Sequence, residues 1–316
     1  MEQIQRISVR LKFDFRSIWP APAADSGKGV RESTTESWSA HRLLGFTLLE
    51  LLVVIGISAF LISVLAPAFA RTRIHTKTVR CLNNLRQVTR AWSMYAADNS
   101  DRVANNFGIT ETLQEIQTGS FGNWANNVMT WHLEPDNTND VLLARGGLGP
   151  YLASVTSPFR CPSDHALGDE QRAAGWRERT RSYSMNAMVG YPGGYLKYGQ
   201  NVNNPGRKQF IRMGDIPDPA GIFVFIEEHP NSINDGYFLY RRDELPSLWY
   251  DLPASYHNRG ANISFADIHV EYRKWVSPGT VQPPVENAMK LPMPVPVDDT
   301  RDYDWLMQRT SIVYPY

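Results

Sequence analysis

Residues 46–66 read FTLLELLVVIGISAFLISVLA. One charge, Glu50, falls in the stretch, and none follows it. A helix needs about 20 apolar residues to cross a bilayer, so the stretch predicts a membrane span over about residues 46–68. It is longer than the roughly 7 to 15 apolar residues of a signal-peptide core. Pro67 also spoils the small-x-small pattern that would close such a core.

Toward the N-terminus the composition changes. Residues 1–45 are polar, with Pro20, Pro22 and a Ser/Thr-rich run at 33–39, and they show no sustained periodicity. They read as loop or disorder and, preceding a span, as a cytoplasmic leader. On the other side, Ile74, Thr78, Leu82, Leu85, Val88, Trp92 and Tyr95 recur at intervals of three and four. That spacing continues the helix to about residue 97, with Pro67 as a kink. Arg71, Arg73, Lys77, Arg80, Arg86 and Arg90 share the helix with them. They read as a solvated face, with lipid headgroups or a neighbouring subunit as the alternative. An external basic stretch runs against the positive-inside rule.

From residue 98 to residue 316, Gly, Asn and Pro become frequent and short apolar runs appear. Residues 222–226 (IFVFI), 236–240 (GYFLY), 262–266 (NISFA) and 270–275 (VEYRKW) read as strands, the last two as a hairpin. Residues 276–300 read as an extended Pro- and Val-rich loop, and 303–308 as a short helix. The fold class expected is α+β: a long N-terminal helix, membrane-spanning in its first half, packed on a globular domain with an antiparallel sheet. At 42% hydrophobic, the chain has material for a core. Its 32 basic and 32 acidic side chains balance, which gives no reason to expect nucleic acid.

The sequence GFTLLE at residues 45–50 resembles the processing site of type IV prepilins and type II secretion pseudopilins. The resemblance implies cleavage between Gly45 and Phe46 by a prepilin peptidase, removal of the leader, and N-methylation of Phe46. It makes Glu50 the fifth mature residue, set to pair with the Phe46 amine of a neighbouring subunit, and Pro67 a helix-kinking proline. A lone carboxylate in a bilayer is costly unless paired. Gly56, Ser58, Ala59 and Ser63 would allow close helix packing. His257 and Asp267, nine residues apart, resemble the H-x9-DG element of a prepilin-like subgroup, with Ile268 where that element has Gly. A β-branched residue suits positive φ poorly, so a wider turn, or one shifted to His269, is expected. The segments CLNNLRQ (81–87), RCPSD (160–164) and SYSMN (182–186) support the same subgroup.

A domain placed outside the inner membrane by that resemblance lets Cys81 and Cys161 form a disulfide, two buried thiols being the alternative. His257 and Asp267 read as hydrogen-bonding groups that pin the hairpin. No cofactor is required. Calcium has candidate carboxylates in Asp136, Asp140, Glu227 and Asp235, though without an EF-hand pattern. His229, His257 and His269 lack the spacing of a zinc motif.

The function implied is that of a structural subunit in a pseudopilus or type IV pilus-like filament. Its partners would be like subunits, the peptidase-methylase, an inner-membrane assembly platform and inner-membrane lipid. The location implied is single-pass in a bacterial inner membrane, with the C-terminal domain in the periplasm. The alternative is a membrane-anchored binding module, with Trp124, Trp131, Trp249 and Tyr250 stacking on sugars. No G-x-S-x-G, H-E-x-x-H or phosphate-binding glycine loop is present, so the chain does not read as an enzyme.

Overall fold

The computed structural model describes residues 47–286 and 289–314, with the side chains of residues 65–75 left aside. The strands, in chain order, are β1 (Tyr183–Asn186), β2 (Leu196–Lys197), β3 (Gln200–Asn201), β4 (Phe223–Glu227), β5 (Tyr237–Phe238), β6 (Leu248–Trp249), β7 (Gly260–Phe265), β8 (Val270–Lys274) and β9 (Met293–Pro294). Five of them form the central sheet in the order β5-β1-β4-β7-β8. All its pairs are antiparallel except β1 with β5, which is parallel. The helices are α1 (Leu48–Asp98), α2 (Ile109–Thr118), α3 (Asp140–Ala144), α4 (Asp169–Ala173) and α5 (Arg301–Met307).

The sheet is apolar on both faces because its inner strands are covered twice. One cluster joins Cys81, Leu85, Val88 and Trp92 of α1 to Tyr183, Met185, Val224 and Phe225 of the sheet. The α1 members recur at four, seven and eleven residues, one stripe of a helix. A second cluster joins Ala261, Ile263 and Phe265 of β7 to Trp249, Trp275, Tyr303 and Leu306. Alternation along β7 sends those three to one face and Asn262 and Ser264 to the other. A bulge between Phe223 and Phe225 breaks the same alternation in β4. Val224 and Phe225 therefore share the α1 cluster, while Phe223 and Ile226 join the second.

The α+β class stands, but the membrane-spanning first half does not. Among the described residues no helix is long and apolar enough to cross a membrane. The described apolar side chains cover residues 48–64, about 25 Å at 1.5 Å per residue, against about 30 Å of hydrocarbon. The expected single-pass inner-membrane location is corrected on the same ground. The chain divides into two compact units, Met1–Ile57 and Ser58–Tyr316, so residues 58–98 of α1 belong with the sheet. The expected leader, Gly45 and Phe46 lie outside the described residues, as does the side chain of Pro67.

Candidate functional site

Four side chains from four distant places meet beneath α1. Cys81 comes from the buried stripe of that helix and Cys161 from the loop before β1. Glu227 ends β4, and His257 precedes β7. Cys81 and Cys161 are joined in a disulfide, with Cα atoms 5.0 Å apart. All four residues are buried. His257 Nε2 lies 3.3 Å from Cys161 Sγ and 3.1 Å from Glu227 Oε1. On the far side of the ring, Nδ1 lies 3.2 Å from Thr78 Oγ1 and 3.5 Å from Ser163 Oγ.

Asn262, on the α1 side of β7, holds the carboxylate. Its amide N–H donates to Glu227 Oε2 at 2.7 Å and its side-chain Nδ2 to Oε1 at 3.1 Å. With both oxygens receiving these donors, the His257 ring proton is best placed on Nε2, facing Oε1. The loop sulfur is held equally well: the Cys161 amide donates to Ser182 Oγ at 3.1 Å, and that hydroxyl donates to Asp164 Oδ2 at 2.8 Å. Thus RCPSD and SYSMN fold against each other around the disulfide.

His257 and Asp267 stand at opposite ends of β7. Asp267 closes the turn, its Oδ1 accepting from the His269 amide at 3.1 Å. Inside the closing pair, in which the Phe265 amide donates to His269 O at 3.0 Å, the β7–β8 loop has three residues, 266–268. Such loops place their third residue in the left-handed region. Here that residue is Ile268, at φ +78°. The turn is thus wider than a two-residue Asp-Gly turn and closes on His269, while the left-handed position stays at Ile268, where the branched side chain is accommodated.

The calcium candidates do not gather. Asp140 opens α3, where Asn139 is the N-cap. Burial raises the Asp136 carboxyl above its usual range. Asp235 is buried and accepts from the Tyr237 amide at 2.8 Å. Among the described residues, one group of metal-capable side chains brings its ligand atoms within 4.8 Å of one another: Cys81, Cys161, Glu227 and His257. His229 and His269 lie elsewhere. His229 Nε2 is 3.0 Å from Gln282 O, and the His269 ring stacks on Phe265 at 4.3 Å.

Beside this centre, Glu228 is buried in a second group with Asp235, Asp251 and Arg181. Burial pushes the Glu228 carboxyl up to about 8 and that of Asp235 up to about 7. It also pushes Asp251 well above its usual range. Burial lowers Arg181 to about 10, although its guanidinium donates to Asn127, Tyr183, Ser184, Asn234 and Asp235.

The four aromatic residues of the alternative, binding-module reading do not form one exposed platform. Trp124 and Trp249 are core residues. Trp124 packs on Phe225 and donates Nε1–H to Gly236 O at 3.1 Å, and Trp249 packs edge-on against Tyr303. Trp131 and Tyr250 are half-buried, each under an arginine, Arg179 and Arg241 respectively.

At its start, α1 exposes a nearly unbroken apolar surface. Leu48 is 81% exposed and Phe60 68%. Leu51, Leu52, Val53, Val54, Ile55 and Ile57 are likewise exposed. Glu50 has a local partner. The Thr47 amide donates to Glu50 Oε2 at 2.9 Å and the Glu50 amide to Thr47 Oγ1 at 3.2 Å, a reciprocal capping box. The T-x-x-E spacing at residues 47–50 is the sequence signal of this box, and it overlaps the GFTLLE motif. Compared with protein families, characterised proteins and solved structures, the chain gives no match in any of the three.

Proposed function

We propose that the protein is a structural subunit of a prepilin-type filament, processed between Gly45 and Phe46, and that it assembles with like subunits through the apolar start of α1. The supporting observation is the exposed apolar surface over residues 48–64. Burying one such Leu, Ile or Phe is worth about 1.5 to 3 kcal/mol, and a contiguous patch of this kind marks an interaction surface. The side chains point to every side of the helix, so one flat partner would leave half of them in water. Several copies of the same helix around each other cover all sides. Gly56 has nothing within 4 Å of the place a Cβ would take, leaving room for another backbone.

The test uses the full chain in cells that make it naturally, with a photo-crosslinking residue at Leu52 or Phe60. Expected are a mature N-terminus at methylated Phe46 and a ladder of self-crosslinked species. A retained leader, or crosslinks with no second copy, would overturn the reading.

A further inference from the structure

We propose that Cys81, Cys161, His257 and Glu227 have a second, reduced state in which they hold one zinc(II) ion where the disulfide now stands. The ligand atoms of these four residues lie within 4.8 Å of one another. Tetrahedral zinc at about 2.0 to 2.3 Å from its ligands needs them roughly 3 to 4 Å apart, so small side-chain rotations suffice. Two thiolates, an imidazole and a carboxylate suit zinc rather than calcium or magnesium, which take oxygen ligands.

The surroundings are those of a metal site. His257 already aims Nε2 at both the sulfur and the carboxylate. Moving the ring proton to Nδ1 frees Nε2 to ligate, and Thr78 Oγ1 at 3.2 Å stands ready to accept that proton's hydrogen bond. Asn262 holds Glu227 through two donors, which orients Oε1 inward. Charge also favours the exchange. The disulfide state holds one carboxylate; the zinc state holds that carboxylate and two thiolates against a doubly charged ion. The doubly charged ion directly offsets the two thiolates that reduction and deprotonation create, and its bonds to all four ligands repay the cost of burying them.

The steps balance. An external dithiol supplies two electrons and two protons. The S–S bond breaks, both sulfurs become thiols, and the dithiol closes to its own disulfide. Zinc then forms two Zn–S bonds as both thiol protons leave to solvent. Because every ligand is buried, both the reduction and the zinc uptake take place on the open chain, before the site closes in folding.

The full chain is produced in a reducing cytosol with added zinc, and in parallel under oxidising conditions. Mass spectrometry of bound metal, thiol labelling and near-UV circular dichroism are read on both. Expected are about one zinc per reduced chain, two thiols that zinc shields from labelling, and no zinc on the oxidised chain. Cobalt(II) in place of zinc should give sulfur-to-metal charge-transfer absorption. His257→Ala and Glu227→Gln should each weaken zinc binding by roughly tenfold or more, and Cys81→Ser with Cys161→Ser should abolish it. A folded reduced chain with free thiols and no metal would overturn the proposal. So would unchanged zinc affinity in His257→Ala, or a reduced chain that zinc does not restore to its folded spectrum. These readouts do not involve assembly, so they stand or fall apart from the filament reading.

Discussion

The amide of Ile268 donates to the carbonyl of Phe265 at 2.9 Å while Ile268 holds a positive φ of 78°. The contact completes the tight turn, and the backbone angle is one that a β-branched residue adopts at a cost of about 1 to 3 kcal/mol. Ile268→Gly removes that cost. It should raise stability by about 1 kcal/mol, or about 2 to 4 °C in melting temperature for a domain of this size. An unchanged or lower melting temperature would show that Ile268 contributes packing that offsets its strain.

Stability should fall as pH rises from about 6.5 to about 8. The folded chain keeps a proton on Glu228 until about 8 and on Asp235 until about 7, while the unfolded chain releases both near 4. The native state therefore binds more protons over that interval, and raising the pH favours unfolding. His229, lowered to about 4 by burial from an ordinary 6.5, acts in the opposite direction, but only below 6.5. Unfolding free energies from urea titrations at the two pH values should differ by on the order of 1 kcal/mol or more. Glu228→Gln, which cannot ionise, should reduce the difference, leaving the part that Asp235 and Asp251 contribute.

Opening the disulfide in metal-free buffer should cost about 4 kcal/mol. The bridge closes a separation of 80 residues, and loops of that length lose about that much stabilisation in the chain-entropy account. Melting with and without a dithiol reductant, in the presence of a chelator, measures it. A loss under about 1 kcal/mol would mean that the α1 stripe and the Ser182–Asp164 contact hold the loop without covalent help.

Glu50 separates two roles that Gln can imitate unequally. A capping box accepts Gln in place of Glu, whereas a charge pair with a neighbouring amine does not. Glu50→Gln should keep the helix start, read by amide exchange at residues 48–51, and lower the yield of self-crosslinked species. Glu50→Ala should lose both. Normal assembly by the Gln variant would leave the carboxylate as a cap alone.

Gly260 faces the carbonyl of Arg273 across the hairpin, where an added Cβ would come within 2.3 Å. Gly260→Ala should therefore force β7 from β8 and destabilise by about 2 kcal/mol, within the range for core overpacking. Chemical denaturation would register it, and a neutral result would mean that the hairpin relaxes there freely.

Strands β4, β7 and β8 were legible because their apolar runs or alternation match the period of a pleated sheet. β1 was not. Ser184 and Asn186 break its apolar run, and their burial depends on partners far off in sequence. Asn186, for example, donates to the carbonyls of Phe223 and Thr310 and accepts from Tyr240. The depth of Trp124 and Trp249 is not written locally, since an aromatic side chain looks the same in sequence whether it anchors a core or offers a face. The pairing of Cys81 with Cys161 was within reach because only two cysteines exist. That His257 and Glu227 would join them was not, since His257 lies 96 residues from Cys161 and no local spacing encodes the meeting.

The bridge from α1 to the loop before β1 also has a mechanical meaning. A pull on the start of α1 travels down the helix to Cys81 and crosses a covalent bond to Cys161, close to the central sheet. The chain between those two residues is bypassed by the load. In the proposed filament, tension along the helices would pass through the disulfide to the loop before β1, and the intervening chain could not be drawn out until the bond was cut.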